Sequence, residues 1–98
     1  MADLVLLACQ IAVPPMSTAA ERDAHLAVTA AKVEAALERA PADLVVLPEL
    51  ASIDYARAAF ERLSELAEPL DGASWRCWSA VARRHDCHVA YGFARSFD

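Results

Sequence analysis

The sequence predicts an α/β fold in which helices pack on a sheet, and three observations carry the prediction. Short, continuous apolar runs occur at Leu4–Cys9 and Asp43–Leu47, as in strands covered on both faces. Between them lies a long segment whose apolar residues recur at helical spacing. A third strand-like run then closes the chain, from about His88 to Ala94. Strands separated by helices in this way place helices against a sheet. The expected order is strand, helix, strand, two helices, strand.

Each element has a local reason. Pro14-Pro15 closes the first strand. Thr18-Ala19-Ala20-Glu21 has the spacing of a capping box, with Thr18 set to accept from a backbone N–H and Glu21 to reach back. Leu26, Ala30, Val33 and Leu37 form one apolar stripe, and Pro41 ends that helix. Pro48 stops the second strand. Ser52 is placed to cap the next helix, whose expected inward residues are Phe60, Leu63 and Leu66. Pro69-Leu70-Asp71-Gly72 reads as a turn. Ser74 is placed to cap a further helix, with Trp75, Trp78, Val81 and Ala82 on its apolar side and Arg83-Arg84 in its last turn, where cations suit the dipole. Three strands make a narrow sheet with unpaired edges, so a larger fold is expected to continue around it.

Length and composition bound what this fold can do. The 98 residues, 57% hydrophobic with 23 alanines, suffice for one small domain, and a chain of this length buries about 60–65% of its unfolded surface. There is no internal repeat, linker or low-complexity tract. A formal charge of −5 argues against a nucleic-acid or anionic-membrane binder, which needs a basic face. No apolar run approaches the roughly 18 residues needed to cross a bilayer. Leu6-Leu7-Ala8-Cys9 imitates a lipoprotein cleavage site, but the segment before it is short and carries Asp3 rather than a basic residue. Three cysteines without close-paired spacing fit a reducing compartment, so a cytoplasmic location is expected.

The residue best placed for chemistry is Glu49, in Leu47-Pro48-Glu49-Leu50. It lies just beyond the carboxyl end of a strand, where open α/β sheets place their ligands. Flanked by apolar residues, its carboxylate is expected to be partly desolvated and available as a general base; the alternative is a helix cap or the wet end of a strand. Cys9 and Cys77 read as small core residues. His85-Asp86-Cys87-His88 gathers metal-ligand types across a helix-to-strand turn, where side chains diverge, and no second cluster completes a tetrahedral site. His25 reads as a packed or solvated histidine, and Lys32, the single lysine, as a surface charge. The two glycines are twenty residues apart and form no phosphate loop.

Together these segments resemble the N-terminal part of the carbon–nitrogen hydrolase (nitrilase) superfamily. The resemblance rests on Leu7-Ala8-Cys9-Gln10, on Ala42-Asp43-Leu44-Val45-Val46-Leu47-Pro48-Glu49-Leu50, and on Tyr55 six residues beyond the glutamate. It continues through Leu70-Asp71-Gly72, Val81-Ala82-Arg83-Arg84-His85 and Val89-Ala90-Tyr91-Gly92-Phe93. It implies a four-layer αββα sandwich, of which residues 1–98 form a single, incomplete domain in the order β-α-β-α-α-β. It further implies a Glu–Lys–Cys triad that hydrolyses a small-molecule amide or nitrile without metal or organic cofactor, with Glu49 as the general base and Tyr55 lining the substrate pocket. The family commonly pairs its sandwiches into dimers, which implies a homo-oligomer or a complementing chain.

The chain departs from the pattern in several places. The family's lysine and nucleophilic cysteine follow the third strand, so neither Lys32 nor Cys9, Cys77 or Cys87 matches them. His25 stands where the first helix often carries Asn, Arg95 stands near a frequent acidic position, and Ile53-Asp54-Tyr55 lacks the usual Gly. The expectation is an N-terminal segment that carries the base and is inactive alone. The alternative is a non-catalytic interaction or regulatory module that pairs with a full-length partner.

Overall fold

The computed structural model describes residues 3–97, so the outermost ends of the domain expected over 1–98 lie outside the described residues. Strand β1 spans Leu6–Ala8, helix α1 Ala19–Arg39 and strand β2 Leu44–Val46. Two single-turn helices follow, α2 at Arg57–Phe60 and α3 at Leu63–Leu66, then helix α4 at Ala73–His85 and strand β3 at His88–Ala90. The strands form one parallel sheet in the order β1-β2-β3. Leu7 pairs with Val45, and Val45 pairs with Val89. Because side chains alternate across a strand, those three residues share one face.

That face carries the main core. Val45 is wholly buried, and it clusters with Leu26, Val33 and Leu37 of α1 and with Trp78 and Val81 of α4, while Leu7 and Val89 pack against the group. The two helices therefore lie side by side on one side of the sheet. Arg84 of α4 also pairs with Glu34 of α1 across their crossing. The opposite face has no such cover among the described residues: Leu6 is 57% and Val46 38% exposed, and Ala8 and Ala90 are exposed with them. The first strand was expected to be covered on both faces. Its apolar run does supply two apolar faces, but α1 and α4 cover only one.

The cap of α1 is the one expected. Glu21 N–H donates to Thr18 Oγ1 at 3.2 Å, and the Thr18 N–H donates back to Glu21 Oε1 at 3.2 Å. Ser17 N–H joins at 3.1 Å, and these hydrogen bonds, led by that from Ser17, hold the Glu21 carboxyl below the usual range.

Elsewhere the caps and faces differ from expectation. Ser52 caps nothing: it is buried, its hydroxyl has no protein partner, and helical structure begins only at Arg57. The resulting turns are too short to maintain an apolar stripe, so Leu66 is buried while Phe60 and Leu63 are exposed. Ser74 does not cap α4 either, because Gly72 occupies the cap position. Buried Glu68 takes over: its Oε1 accepts from the Ser74 N–H and its Oε2 from the Ser74 hydroxyl, each at 2.6 Å, across the predicted turn closed by Gly72 N–H to Pro69 O at 3.0 Å. Trp75, expected inward, is 48% exposed, whereas Trp78 is 1% exposed. The third strand ends at Ala90 rather than Ala94, and Arg95 instead bridges in parallel with Glu68.

Candidate functional site

Three parallel strands direct their carboxyl ends to one edge, and the loops leaving that edge are where an α/β sheet assembles a site. The loop after β2 carries Glu49. It is anchored first to its neighbours in the sheet: Cys9 N–H donates to Val46 O at 2.9 Å, and Leu47 N–H donates to Ala90 O at 2.9 Å. Two residues past the glutamate, Ala51 N–H donates to Gly92 O at 3.1 Å. The Ala51 carbonyl accepts from His25 Nε2 of α1 at 2.8 Å.

The loop also joins two cores. Leu47 and Ala51 belong to the main cluster, whereas Ile53 is buried in a second one with Met16, Ala59 and Leu66, against which Leu50 packs. Glu49 is the exposed residue within this otherwise inward-facing stretch. The sequence suggested partial desolvation of its carboxylate, but burial falls on Leu47, Ala51, Ser52 and Ile53 while the Glu49 side chain projects from the edge. In chemical terms it is a carboxylate on a firmly held backbone, open to whatever approaches the carboxyl end of the sheet.

Tyr55 lies farther along the same connection, 70% exposed, with its ring edge-on to Phe60 at 5.4 Å between centroids. No hydrogen bond joins Tyr55 to Glu49 among the described residues; they share a loop and an exposed edge rather than a direct bond. Two clefts elsewhere in the molecule exclude both residues. One, of 620 Å³, lies between the Gln10–Pro15 segment and the α1 face that carries His25, Val28 and Lys32. The other, of 670 Å³, sits at the opposite edge of the sheet, beside Asp43 and His88.

The remaining candidates are dispersed. Lys32 is exposed on α1. The three thiols are half-buried, and burial raises the pKa of each. Cys77 is pushed up to about 11 by burial and then by the Glu34 charge, and its Sγ points to Leu26 O at 3.9 Å. A nucleophilic cysteine needs the opposite environment, one that favours thiolate. In His85-Asp86-Cys87-His88, α4 ends with Asp86 in the left-handed region at φ 48°, and the four side chains split between helix end and strand start. No group of three His, Cys, Asp or Glu side chains gathers as a metal-binding set among the described residues.

Two residues at the site carried no functional signal in the sequence. His25 is packed, as one of its two readings had it, but its partner is the loop of Glu49. Gly92 was read as part of a strand, whereas it lies beyond β3 and receives the Ala51 N–H. Both contacts join segments far apart in sequence, so spacing could not have announced them.

No curated protein and no solved structure matches the chain. The family model described as Carbon-nitrogen hydrolase matches residues 7–96, a span that begins within β1 and takes in the other two strands, the Glu49 loop and both packed helices. A parallel sheet with one helix between its first two strands and helical segments ending in α4 between its last two is consistent with the N-terminal part of that family's fold, and the chain belongs to the carbon–nitrogen hydrolase family.

Proposed function

We propose that this chain supplies the general base, Glu49, to a hydrolase site that cleaves a non-peptide C–N bond of a small amide or nitrile through a Glu–Lys–Cys triad. The observation that carries the reading is the placement of Glu49. It is an accessible carboxylate on an anchored loop at the carboxyl edge of the sheet, within the span of the family match. With an amide, Glu49 accepts the proton of the attacking thiol as sulfur bonds to the carbonyl carbon, passes it to the departing nitrogen, and then takes one from the water that hydrolyses the thioester. With a nitrile the same attack gives a thioimidate, which takes up one further water before ammonia leaves and the thioester forms. The lysine stabilises the negative charge that develops on the substrate. Tyr55 forms part of the wall of the substrate pocket. The chemistry calls for no metal or organic cofactor.

The lysine and the nucleophile are assigned to polypeptide outside these 98 residues, either further chain or a second one. Two observations support this: Lys32 is exposed on α1 and makes no ion pair with Glu49 among the described residues, and the environments of all three thiols disfavour thiolate. The uncovered apolar face of the sheet offers such a polypeptide a surface to pack on. Three unpaired thiols suit the reducing cytoplasm.

The test is ammonia release across a panel of small amides and nitriles by the native polypeptide, with the complementing chain supplied where that chain carries the lysine and cysteine. Glu49→Gln is expected to lower kcat by about 10²- to 10⁴-fold, as removal of a general base does. Unchanged turnover in that variant would overturn the assignment of the base. Turnover by the 98-residue chain alone would overturn the division of the triad, and turnover by it that survives combined Cys9→Ala, Cys77→Ala and Cys87→Ala would overturn the thiol mechanism itself.

A further inference from the structure

We propose that His25 and Gly92 are positioning residues for Glu49, a two-sided clamp that fixes the backbone from which the carboxylate projects. The proposal rests on Glu49 being the base.

Gly92 forms the first side. A Cβ at this position would lie 1.6 Å from the Glu49 carbonyl oxygen, 2.5 Å from its carbonyl carbon and 3.1 Å from its Cα. These are backbone atoms, which have no rotamer by which to move aside. Any side chain at 92 must therefore displace the peptide of Glu49 itself or push the end of β3 away from it. Glycine is required here for close approach, which is one of the two uses of a residue without Cβ.

His25 forms the second side. It is 6% exposed on α1 and reaches across to the Ala51 carbonyl. A carbonyl only accepts, so Nε2 must carry the proton. Nδ1 faces the Thr29 hydroxyl, which stands 3.4 Å away and is itself buried. The same Ala51 peptide donates its N–H to Gly92 O, so one residue is tied in opposite directions to α1 and to the segment after β3. With Leu47 N–H held by Ala90 O upstream, Glu49 sits midway between two anchored points four residues apart. An exposed side chain cannot be aimed by packing, so its aim comes from this backbone, and misplacement by about 1 Å costs on the order of 100-fold in rate.

The experiment uses the native polypeptide with His25→Ala, His25→Gln, Gly92→Ala and Glu49→Gln, and reads amide hydrogen exchange together with kcat, KM and the pH profile. Glutamine places an amide donor near the position of Nε2 and serves as the rescue. His25→Ala and Gly92→Ala are expected to speed exchange at Ala51 about tenfold while the Val45 amide, in the central strand, stays unchanged. They are expected to lower kcat by about 10- to 100-fold with KM within about twofold, and to retain the acidic limb of the pH profile. His25→Gln restores most of both readouts. Equal acceleration at Val45 and Ala51, or failure of glutamine to restore what alanine loses, would reduce the clamp to ordinary stability and overturn it. If Gly92→Ala does not fold, the alanine–glutamine pair at His25 decides alone. Failure of the base assignment looks different: Glu49→Gln then leaves kcat and the acidic limb intact, whatever exchange at Ala51 does.

Discussion

The two faces of the sheet are built from the same three strands and have opposite fates. Toward α1 and α4, Val45 is fully buried and Leu7 and Val89 pack beside it. On the other side, one residue along, Leu6 is 57% and Val46 38% exposed. The side chains are equally apolar, so composition does not separate the faces. Only the helix-covered face has a partner within residues 3–97, and stability should be concentrated there. The uncovered face is chemically ready for a second layer, as a sandwich architecture requires, but contributes little until that layer is present.

Substitutions at adjacent residues should show this asymmetry most directly. Val45→Ala is expected to cost about 2 kcal/mol in urea unfolding, from lost transfer energy and an unfilled cavity. Val46→Ala should cost less than about 0.5 kcal/mol, as surface changes do. Equal costs would break the comparison and mean that the second face is covered in solution. Dependence of the Val46 effect on protein concentration would then identify a second copy as the cover.

A smaller effect probes the helix layer through pH. Cys77 stands on α4 with its thiol toward Leu26 of α1, and that thiol is held neutral up to about 11 rather than its ordinary 9.0, because burial and the nearby Glu34 charge oppose the thiolate. The unfolded chain ionises first. The stabilising contribution is therefore fully present below about pH 9 and is lost as pH rises through about 11. Cys77→Ala should flatten that alkaline decline in unfolding free energy. Cys9, Cys87 and Tyr91, raised by burial as well, contribute to the residual slope. An unaltered slope would mean that the helix layer admits water around Cys77.

The smallest effect lies at the end of α4, where Asp86 adopts φ 48° and sets a negative charge at the helix C-terminus. Asp86→Gly removes both penalties and should stabilise the chain by about 0.5–1 kcal/mol, with some of the gain offset by a more flexible unfolded state. A lower urea midpoint would show that the aspartate contributes a contact that outweighs its strain.

The parts of this architecture that were legible in the sequence depend on neighbours in the chain. The capping box of Thr18 and Glu21, the apolar stripe of α1, the strand bearing Val45 and the turn at Pro69–Gly72 each follow from residues within a few positions of one another. Glu49 was legible for the same reason, since strand, proline and acid are consecutive. Its exposure was not legible, because the residues around it are buried or half-buried and the glutamate alone turns outward. Ser74 shows the limit clearly: it looked like a helix cap, but a carboxylate six residues upstream, brought round by the turn, does the capping instead. Trp75 and Trp78 are the same residue type three positions apart on one helix, yet only Trp78 lies beneath the neighbouring elements.

By itself, then, the sequence determined the places of the three strands and two long helices, their order and the acid that follows the second strand. Periodicity, capping and proline placement act over one or two turns of chain. Tertiary structure decided which sheet face is covered, which tryptophan is buried and what holds the Glu49 loop. Those outcomes depend on α1 meeting α4 and on His25 and Gly92 reaching a peptide dozens of residues away. Such contacts form only when the whole chain has closed, because each is paid for by burial that no local segment can supply.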